Sequence, residues 1–126
     1  MVKRILIVDD EVDVTDFLRY ELEDYNPNWE LISINSGLKA LQFIMEDKVD
    51  LLLTDIAMPD MDGYELYSRT KEIRPNLPII MMTGFGYDPN HAVVKSRKKG
   101  LKDIVFKPFN MVELFTLIST RLSENK

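Results

Sequence analysis

The sequence contains no cysteine, so it can form neither a disulfide framework nor a thiolate metal site. This composition fits a reducing compartment. Disulfides and structural metal sites are also unnecessary for stability, because a chain of 126 residues buries about two-thirds of the surface that it exposes when unfolded. The length suits one domain and not two, and we therefore expect residues 1–126 to form a single domain.

Long hydrophobic runs are absent as well. The stretch from Leu77 to Tyr87 carries no charged residue, but it is shorter than a membrane span and contains two glycines and a proline. At the N-terminus only four apolar residues, Ile5–Val8, precede Asp9, whereas a secretory signal needs a longer apolar region. These features predict a cytoplasmic protein that does not associate with membranes.

An excess of positive charge is the third absence. The chain has 16 basic and 21 acidic residues, which gives a net charge of −5. This balance argues against direct binding of nucleic acid by this domain. With 45% hydrophobic and 29% charged residues, the composition is that of a soluble globular domain and not of a disordered tail.

Five short apolar runs alternate with stretches of helical periodicity. Three of the runs are near-continuous in Ile, Leu, Val or Met, as in strands that are buried on both faces of a parallel sheet. The predicted strands are Ile5–Val8, Trp29–Ile34, Leu51–Thr54, Pro78–Met82 and Ile104–Phe106. Ser36 and Asn110 stand where helix N-caps belong, and the helical pattern is weakest from Asn90 to Lys99. The whole predicts an α/β fold of the doubly wound (βα)5 type with right-handed crossovers.

Charged and polar residues follow four of the five predicted strands. Asp9 and Asp10 come after the first strand, and Asp55 comes after the third. Thr83 follows the fourth strand, and Lys107 follows the fifth. Because sites in open parallel sheets lie at the carboxyl ends of the strands, we expect these five side chains to converge.

This set offers only oxygen ligands to a cation. Sites of this kind suit Mg²⁺, or Mn²⁺ in its place, and a zinc site is disfavoured. Asp9, Asp10 and Asp55 could supply the side chains, and a backbone carbonyl near Ala57 could complete the shell. A divalent ion held in this way keeps positions open for phosphoryl oxygens.

The same residues suit phosphoryl transfer. An aspartate can accept a phosphoryl group covalently, and Asp55 is the best candidate because it ends the central strand. Lys107 can then offset the negative charge of the transferred phosphoryl oxygens, while Thr83 donates a hydrogen bond to one of these oxygens.

Four motifs, in this order along the chain, resemble those of a known family. They are Ile5–Glu11 with its acidic pair, Asp55–Gly63, Met82–Gly84 and Lys107–Phe109. The segment Ser36–Leu41 is also similar to the start of the family's second helix. On these motifs, essentially the whole chain resembles the receiver domain of two-component response regulators. It would be a stand-alone receiver, a fragment of a larger regulator, or the receiver segment of a hybrid histidine kinase.

The resemblance implies a flavodoxin-like sheet of five parallel strands in the order 2-1-3-4-5. A histidine kinase or a phosphotransfer protein would donate a phosphoryl group to Asp55. Mg²⁺ would be held by Asp10, Asp55 and the carbonyl of Ala57, with help from Asp9. The domain would be a switch and not an enzyme, apart from slow hydrolysis of its own acyl phosphate.

The resemblance also implies how the switch moves and what it contacts. Thr83 would swing towards the phosphoryl group, Lys107 would pair with it, and the Lys107–Pro108 peptide bond would be cis. The surface of the fourth helix, fifth strand and fifth helix would change, to control a downstream protein or a phosphorylation-dependent homodimer. Met58 and Met61, beside the acceptor, would contact a docking kinase.

Two features depart from the family pattern. The family commonly has an aromatic residue three positions before the lysine, and here that residue is Ile104, with Phe106 in the same strand. The segment between Thr83 and Lys107 is also slightly longer than usual. We hypothesise that Phe85 or Tyr87, in the extra loop, replaces the missing ring.

Two other classes of function compete with the switch. An aspartyl-nucleophile phosphohydrolase would carry a second aspartate two positions after Asp55 as its general acid, and Ala57 stands there. A receiver-like module that binds partners without phosphorylation would normally lack one of the acidic pair, the acceptor or the lysine, and this chain has them all.

Overall fold

The computed structural model describes residues 2–84 and 103–124, which form a central sheet with helices on both faces. The strands are β1 (Arg4–Val8), β2 (Glu30–Ile34), β3 (Leu51–Asp55), β4 (Ile79–Thr83) and β5 (Asp103–Phe106). The helices are α1 (Val12–Tyr25), α2 (Gly37–Glu46), α3 (Gly63–Ile73) and α4 (Met111–Glu124), the last being the fifth helix of the sequence prediction. The helix expected over residues 90–99, and the loop of Phe85 and Tyr87, lie outside the described residues.

The strands pair in the order β2-β1-β3-β4-β5, and every pairing is parallel. The predicted topology, the (βα)5 class and the flavodoxin-like sheet order are thus confirmed. Predicted and observed strand limits differ by one residue or less. The start of β2 is one such difference: Trp29 precedes the strand, and its ring lies 5.7 Å from that of Tyr25 at the end of α1.

The central strands are rich in apolar residues, as is typical of strands that are covered on both faces. Every residue of β3 and of β4 is buried, whereas β2 at the edge is only half-buried. Alternate residues enter different cores: Leu52 packs on the side of α2 and α3, and Leu53 packs on the side of α1 and α4. None of the helices in the described part of the chain combines the length and hydropathy needed to cross a membrane.

Side-chain caps define where three helices begin. Ser36, Asp62 and Asn110 each accept a hydrogen bond from the amide three residues further on, at 3.2, 2.7 and 3.1 Å. These bonds satisfy amides that have no partner within the helix. The caps predicted at Ser36 and Asn110 are therefore confirmed.

Gly63, the first residue of α3, packs directly on the backbone of the strand end. A Cβ atom at this position would lie 2.2 Å from the carbonyl oxygen of Asp55 and 2.8 Å from the Cα of Ile56. Neither atom can move without displacing the end of β3. The close approach brings α3 against the strand, and only glycine allows it.

We expect Gly63→Ala to lower the free energy of unfolding by about 3 kcal/mol, the upper end of the usual range for overpacking. Urea unfolding followed by circular dichroism measures the change. Glu72→Ala, on the exposed face of the same helix, is the control and should change stability by no more than about 0.5 kcal/mol. Equal stability of the two variants would contradict the close packing at Gly63.

Candidate functional site

Three carboxylates converge at the carboxyl edge of the sheet. One carboxylate oxygen from each of Asp9, Asp10 and Asp55 lies within 4.8 Å of the other two. Asp9 is fully buried and Asp55 is 6% exposed, whereas Asp10 is open to solvent. The three form an acidic pocket that could bind a metal ion, and the all-oxygen set suits a hard divalent cation.

Backbone contacts hold Asp9 in place. Its amide donates to the carbonyl of Ile34 at 3.3 Å, which continues the β1–β2 pairing by one residue. One carboxylate oxygen, Oδ1, accepts a hydrogen bond from the amide of Glu11 at 2.9 Å. The orientation of this buried carboxylate therefore follows from the local fold of the β1–α1 loop.

Asp55 is the last residue of the central strand, and the chain turns immediately after it. The amide of Ile56 donates to the carbonyl of Met82 at 3.1 Å, and the carbonyl of Ile56 accepts from the amide of Gly63 at 2.7 Å. The loop of residues 57–62 thus leaves the strand and returns to it within a few residues. Ala57, in this loop, is exposed.

Lys107 reaches into the pocket from the segment between β5 and α4. Its Nζ lies 2.9 Å from Oδ2 of Asp9 and 3.4 Å from Oδ1 of Asp55. The Lys107–Pro108 peptide bond is cis, as expected. Lys107 is itself anchored, since its amide donates to the carbonyl of Thr83 at 2.8 Å. The ammonium therefore bridges the first and third strands from the fifth.

The proximity of these groups changes their proton affinities. Burial, and then the nearby charge of Asp9, raise the pKa of Asp55 from 3.8 to about 6, against the opposing effect of Lys107. Burial works to lower the pKa of Lys107, but its hydrogen bond to Asp9 and the charge of Asp55 outweigh it, and the net shift is upward. Lys107 therefore stays cationic, whereas the carboxyl group of Asp55 ionises at about pH 6.

Thr83 ends β4 at the same edge and is buried. By the alternation of the strand, it follows Ile79 and Met81 towards the α2 and α3 side. Asp55 follows the opposite row, which includes Leu53. The sheet thus brings Thr83 to the edge that carries the pocket, on the strand next to that of Asp55.

Among the residues that the structure describes, Phe106 is the aromatic residue in register with Thr83. The two residues are paired between β4 and β5, and Phe106 is 50% exposed. Ile104 packs against the core on the α2 and α3 side, as its position in the strand predicts. The aromatic ring of β5 is therefore two residues closer to the lysine than the family pattern places it.

The prediction that Met58 and Met61 contact a docking partner is wrong in its premise. Met58 is 8% exposed and Met61 is 5% exposed, and both belong to the core with Leu66 and Tyr67. Their position beside Pro59, in the loop that follows Asp55, suggests exposure. The loop folds back over the sheet, however, and its two methionine side chains are buried beneath it.

Two residues at the site were not singled out from the sequence. Asn35 donates from Nδ2 to the carbonyl of Asp9 at 2.7 Å. Asp60 accepts hydrogen bonds from the start of α2, including one from the hydroxyl of Ser36. A signal was available for Asn35, because it directly follows the second strand. Asp60 lies within the motif Asp55–Gly63, but nothing in the sequence indicates its partners, which are 22–24 residues away.

Comparison with known proteins agrees with this geometry. A sequence model of the family described as "Response regulator receiver domain" matches residues 5–119. The response regulator receiver protein CpdR of Brucella abortus (strain 2308) is 35% identical over 123 residues, which are 95% of this chain and 97% of CpdR. The transcriptional regulatory protein ZraR of Klebsiella oxytoca is 33% identical over 126 residues, which are 96% of this chain and 28% of ZraR.

A solved structure extends the comparison to three dimensions. The crystal structure of a CheY-like response regulator receiver domain protein from Methanospirillum hungatei JF-1 superposes with a TM-score of 0.89 at 32% identity. The match covers 99% of this chain and 97% of that one. With the family motifs, the sheet order and the acidic pocket in agreement, the chain belongs to the receiver domains of two-component response regulators, a family of signalling switches.

Proposed function

We propose that this protein is a phosphoacceptor switch, formed by one receiver domain over residues 1–126. A histidine kinase or a phosphotransfer protein transfers a phosphoryl group from phosphohistidine to Asp55 in a Mg²⁺-dependent reaction. One observation carries the proposal: the Lys107 ammonium lies 2.9 Å from Asp9 and 3.4 Å from Asp55, at the edge where Asp55 ends its strand. A cation in this position stabilises charge on a phosphoryl oxygen without forming a bond to it.

The donor set fits Mg²⁺, because three carboxylates with oxygens within 4.8 Å of one another carry more negative charge than one lysine neutralises. We assign Asp10, Asp55 and the backbone carbonyl of Ala57 as ligands, with Asp9 helping to hold the ion or its water. Mn²⁺ can substitute. When bound, the metal neutralises charge on the phosphoryl oxygens.

In the transfer step, a carboxylate oxygen of Asp55 forms a bond to phosphorus as the phosphorus–nitrogen bond of phosphohistidine breaks. The electron pair of that bond leaves with the imidazole of the donor, which takes up a proton. Lys107 exchanges its contact with Asp55 for one with an oxygen of the transferred phosphoryl group. The hydroxyl of Thr83 donates a hydrogen bond to a second phosphoryl oxygen. Positioning and charge neutralisation are most of what this chemistry requires.

The phosphoryl group on Asp55 is temporary, and its effect is on another surface of the domain. Water slowly hydrolyses the acyl phosphate at Asp55, so the domain resets itself without being an enzyme in the ordinary sense. Movement at Thr83 passes to the surface of β5 and α4, together with the predicted helix over residues 90–99, and that surface binds a downstream protein or a second copy of the chain. We place this switch in the cytoplasm.

The experiment that tests the proposal uses acetyl phosphate as a small phosphoryl donor. Incubation with Mg²⁺ should yield one phosphoryl adduct per chain by intact-mass spectrometry, mapped by peptide analysis to the segment that contains Asp55, and EDTA should prevent it. Rapid, repeated release of phosphate would instead identify a phosphohydrolase. Absence of any adduct with both Mg²⁺ and Mn²⁺ would identify a binding module that does not use phosphorylation.

A further inference from the structure

The connection between β2 and α2 contacts both loops that carry the acidic pocket. We define the β2–α2 junction as residues 35–38, from Asn35 to Leu38. On one side it contacts the β1–α1 loop, which carries the acidic pair. On the other side it contacts the loop that follows Asp55. One contact is made by a side-chain amide and the other by a side-chain carboxylate. Each of these groups takes part in more than one hydrogen bond.

Asn35 makes the contact with the acidic pair. Its Nδ2 donates to the carbonyl oxygen of Asp9 at 2.7 Å and to Oγ1 of Thr15 at 3.1 Å. Thr15 is buried in α1 and donates in turn to the carbonyl of Val12 at 3.0 Å. The amide of Asn35 therefore joins the end of β1 to the first turn of α1, and the backbone that places Asp10 runs between these two points.

Asp60 makes the contact with the acceptor loop. Its carboxylate accepts from the hydroxyl of Ser36 at 2.5 Å and from the amides of Gly37 and Leu38 at 3.2 Å each. It also accepts from the amide of Met61 at 2.9 Å. The bond from Ser36, followed by those from the backbone amides, holds the pKa of Asp60 at about 2. Four donors from two segments thus share one carboxylate.

Packing between the same segments is close. A Cβ atom on Gly37 would lie 2.6 Å from the carbonyl oxygen of Met61 and 2.9 Å from its Cβ. The start of α2 and the loop at Met61 are therefore in direct backbone contact. Because Ala57 lies between Asp55 and this contact, the position of its carbonyl depends on where Asp60 and Met61 are held.

We propose that the β2–α2 junction sets the geometry of the metal site, with Asn35 and Asp60 as positioning residues. Asn35 fixes the backbone of the acidic pair, and Asp60 fixes the loop that carries Ala57. This inference rests on the proposed function, since it assigns the junction a role towards the same cation. Hydrogen-bonded partners of metal ligands commonly change metal affinity by about 10- to 100-fold when they are removed.

The test compares Asp60→Ala, Asp60→Asn and Asn35→Ala with a matched control in the full chain. Asp62→Ala is the control: it removes a capping aspartate from the same loop, but that aspartate bonds the amide of Glu65 in its own helix. Isothermal titration calorimetry with Mg²⁺ should give dissociation constants for Asp60→Ala and Asn35→Ala that are about tenfold higher than the wild-type value. Asp60→Asn keeps an acceptor oxygen and should lie between these variants and the wild type. Asp62→Ala should lose thermal stability and keep wild-type affinity.

A second readout needs neither the metal nor a phosphoryl donor. In EDTA, amide hydrogen exchange over residues 56–62 should be faster in Asp60→Ala than in the wild type, and exchange over residues 9–12 should be faster in Asn35→Ala. Unchanged affinity and unchanged exchange in both variants would overturn the proposal. If the wild type itself binds no Mg²⁺, the proposed function fails, while the exchange rates still decide whether the junction holds the two loops.

Discussion

Replacing Asp55 with asparagine should abolish phosphoryl transfer to the protein and, in the absence of divalent cations, make the protein harder to unfold. The first effect follows from chemistry, because an amide oxygen cannot form a stable acyl phosphate. The second follows from electrostatics. Asp55 is 6% exposed and lies beside the fully buried Asp9, and among the described residues the cation paired with these two carboxylates is the ammonium of Lys107. Asparagine keeps the size of the side chain and removes one of those charges.

The gain in stability should depend on pH in a defined direction. The pKa of folded Asp55 is about 6, above its ordinary value of 3.8, so folding favours the protonated form. Between these two pH values the folded chain holds a proton that the unfolded chain has released, and stability falls as the pH rises. The advantage of Asp55→Asn should therefore be small near about pH 4 and reach about 1–3 kcal/mol at about pH 8.

Urea unfolding in EDTA at the two pH values measures this change, and intact-mass spectrometry after acetyl phosphate treatment measures the loss of the adduct. Asp24→Asn, on the exposed side of α1, is the control. It should accept the phosphoryl group as the wild type does and should change stability by no more than about 0.5 kcal/mol at either pH. An adduct that survives in Asp55→Asn would assign the acceptor to another residue. If the difference in stability between Asp55→Asn and the wild type is the same at both pH values, Asp55 carries no buried charge.

The sheet was predictable because its strands are covered on both faces. Continuous apolar runs such as Leu51–Thr54 have few alternative structures in a chain of this length, and the alternation with helical spacing specifies parallel strands. Sheet topology then requires the residues after the strands to meet. The convergence of Asp9, Asp55 and Lys107 was therefore expected from strand order, although the strand ends are far apart in sequence.

Contacts between loops could not be predicted in the same way. The bonds that Asp60 accepts from Ser36 and Leu38 join segments more than 20 residues apart, and no periodicity marks them. Burial of Met58 and Met61 depends on the path of the same loop. Loop conformation is decided by a few side-chain hydrogen bonds and close contacts, which residue spacing does not encode.

The departure at the position of Ile104 shows where strand periodicity is informative. Alternation predicts that Ile104 and Phe106 share a face of β5, and Ile104 packs on the face to which Phe106 also belongs. Phe106 is paired in register with Thr83, so an aromatic residue occupies the position next to the threonine on the neighbouring strand. The hypothesis that Phe85 or Tyr87 supplies the ring concerns residues outside the described part of the chain, and the register offers Phe106 of β5 as a second candidate.

Replacing Lys107 with methionine should both destabilise the metal-free protein and slow phosphoryl transfer. The side chain of Asp9 is fully buried, and the ammonium of Lys107 is 2.9 Å from it. Removing one partner of a buried pair leaves an uncompensated charge, and we expect a loss of about 3 kcal/mol in EDTA, the lower end of the usual range because the lysine side chain is 20% exposed. Transfer from acetyl phosphate with Mg²⁺ should slow by about 10²-fold or more, as when one charge-stabilising donor is removed from an active site. Lys39→Met, on the exposed surface of α2, should change neither.

The double variant Lys107→Met/Asp55→Asn separates the two roles of the lysine. If Lys107 stabilises the fold by offsetting the paired carboxylates, removing one carboxylate should recover most of the lost stability, and the two substitutions should not be additive. Phosphoryl transfer should remain absent, because the acceptor is gone. Urea unfolding of the wild type and the three variants in EDTA gives the coupling free energy. Additive effects on stability would show that Lys107 acts on Asp9 alone, and wild-type transfer rates in Lys107→Met would exclude the ammonium from the phosphoryl step.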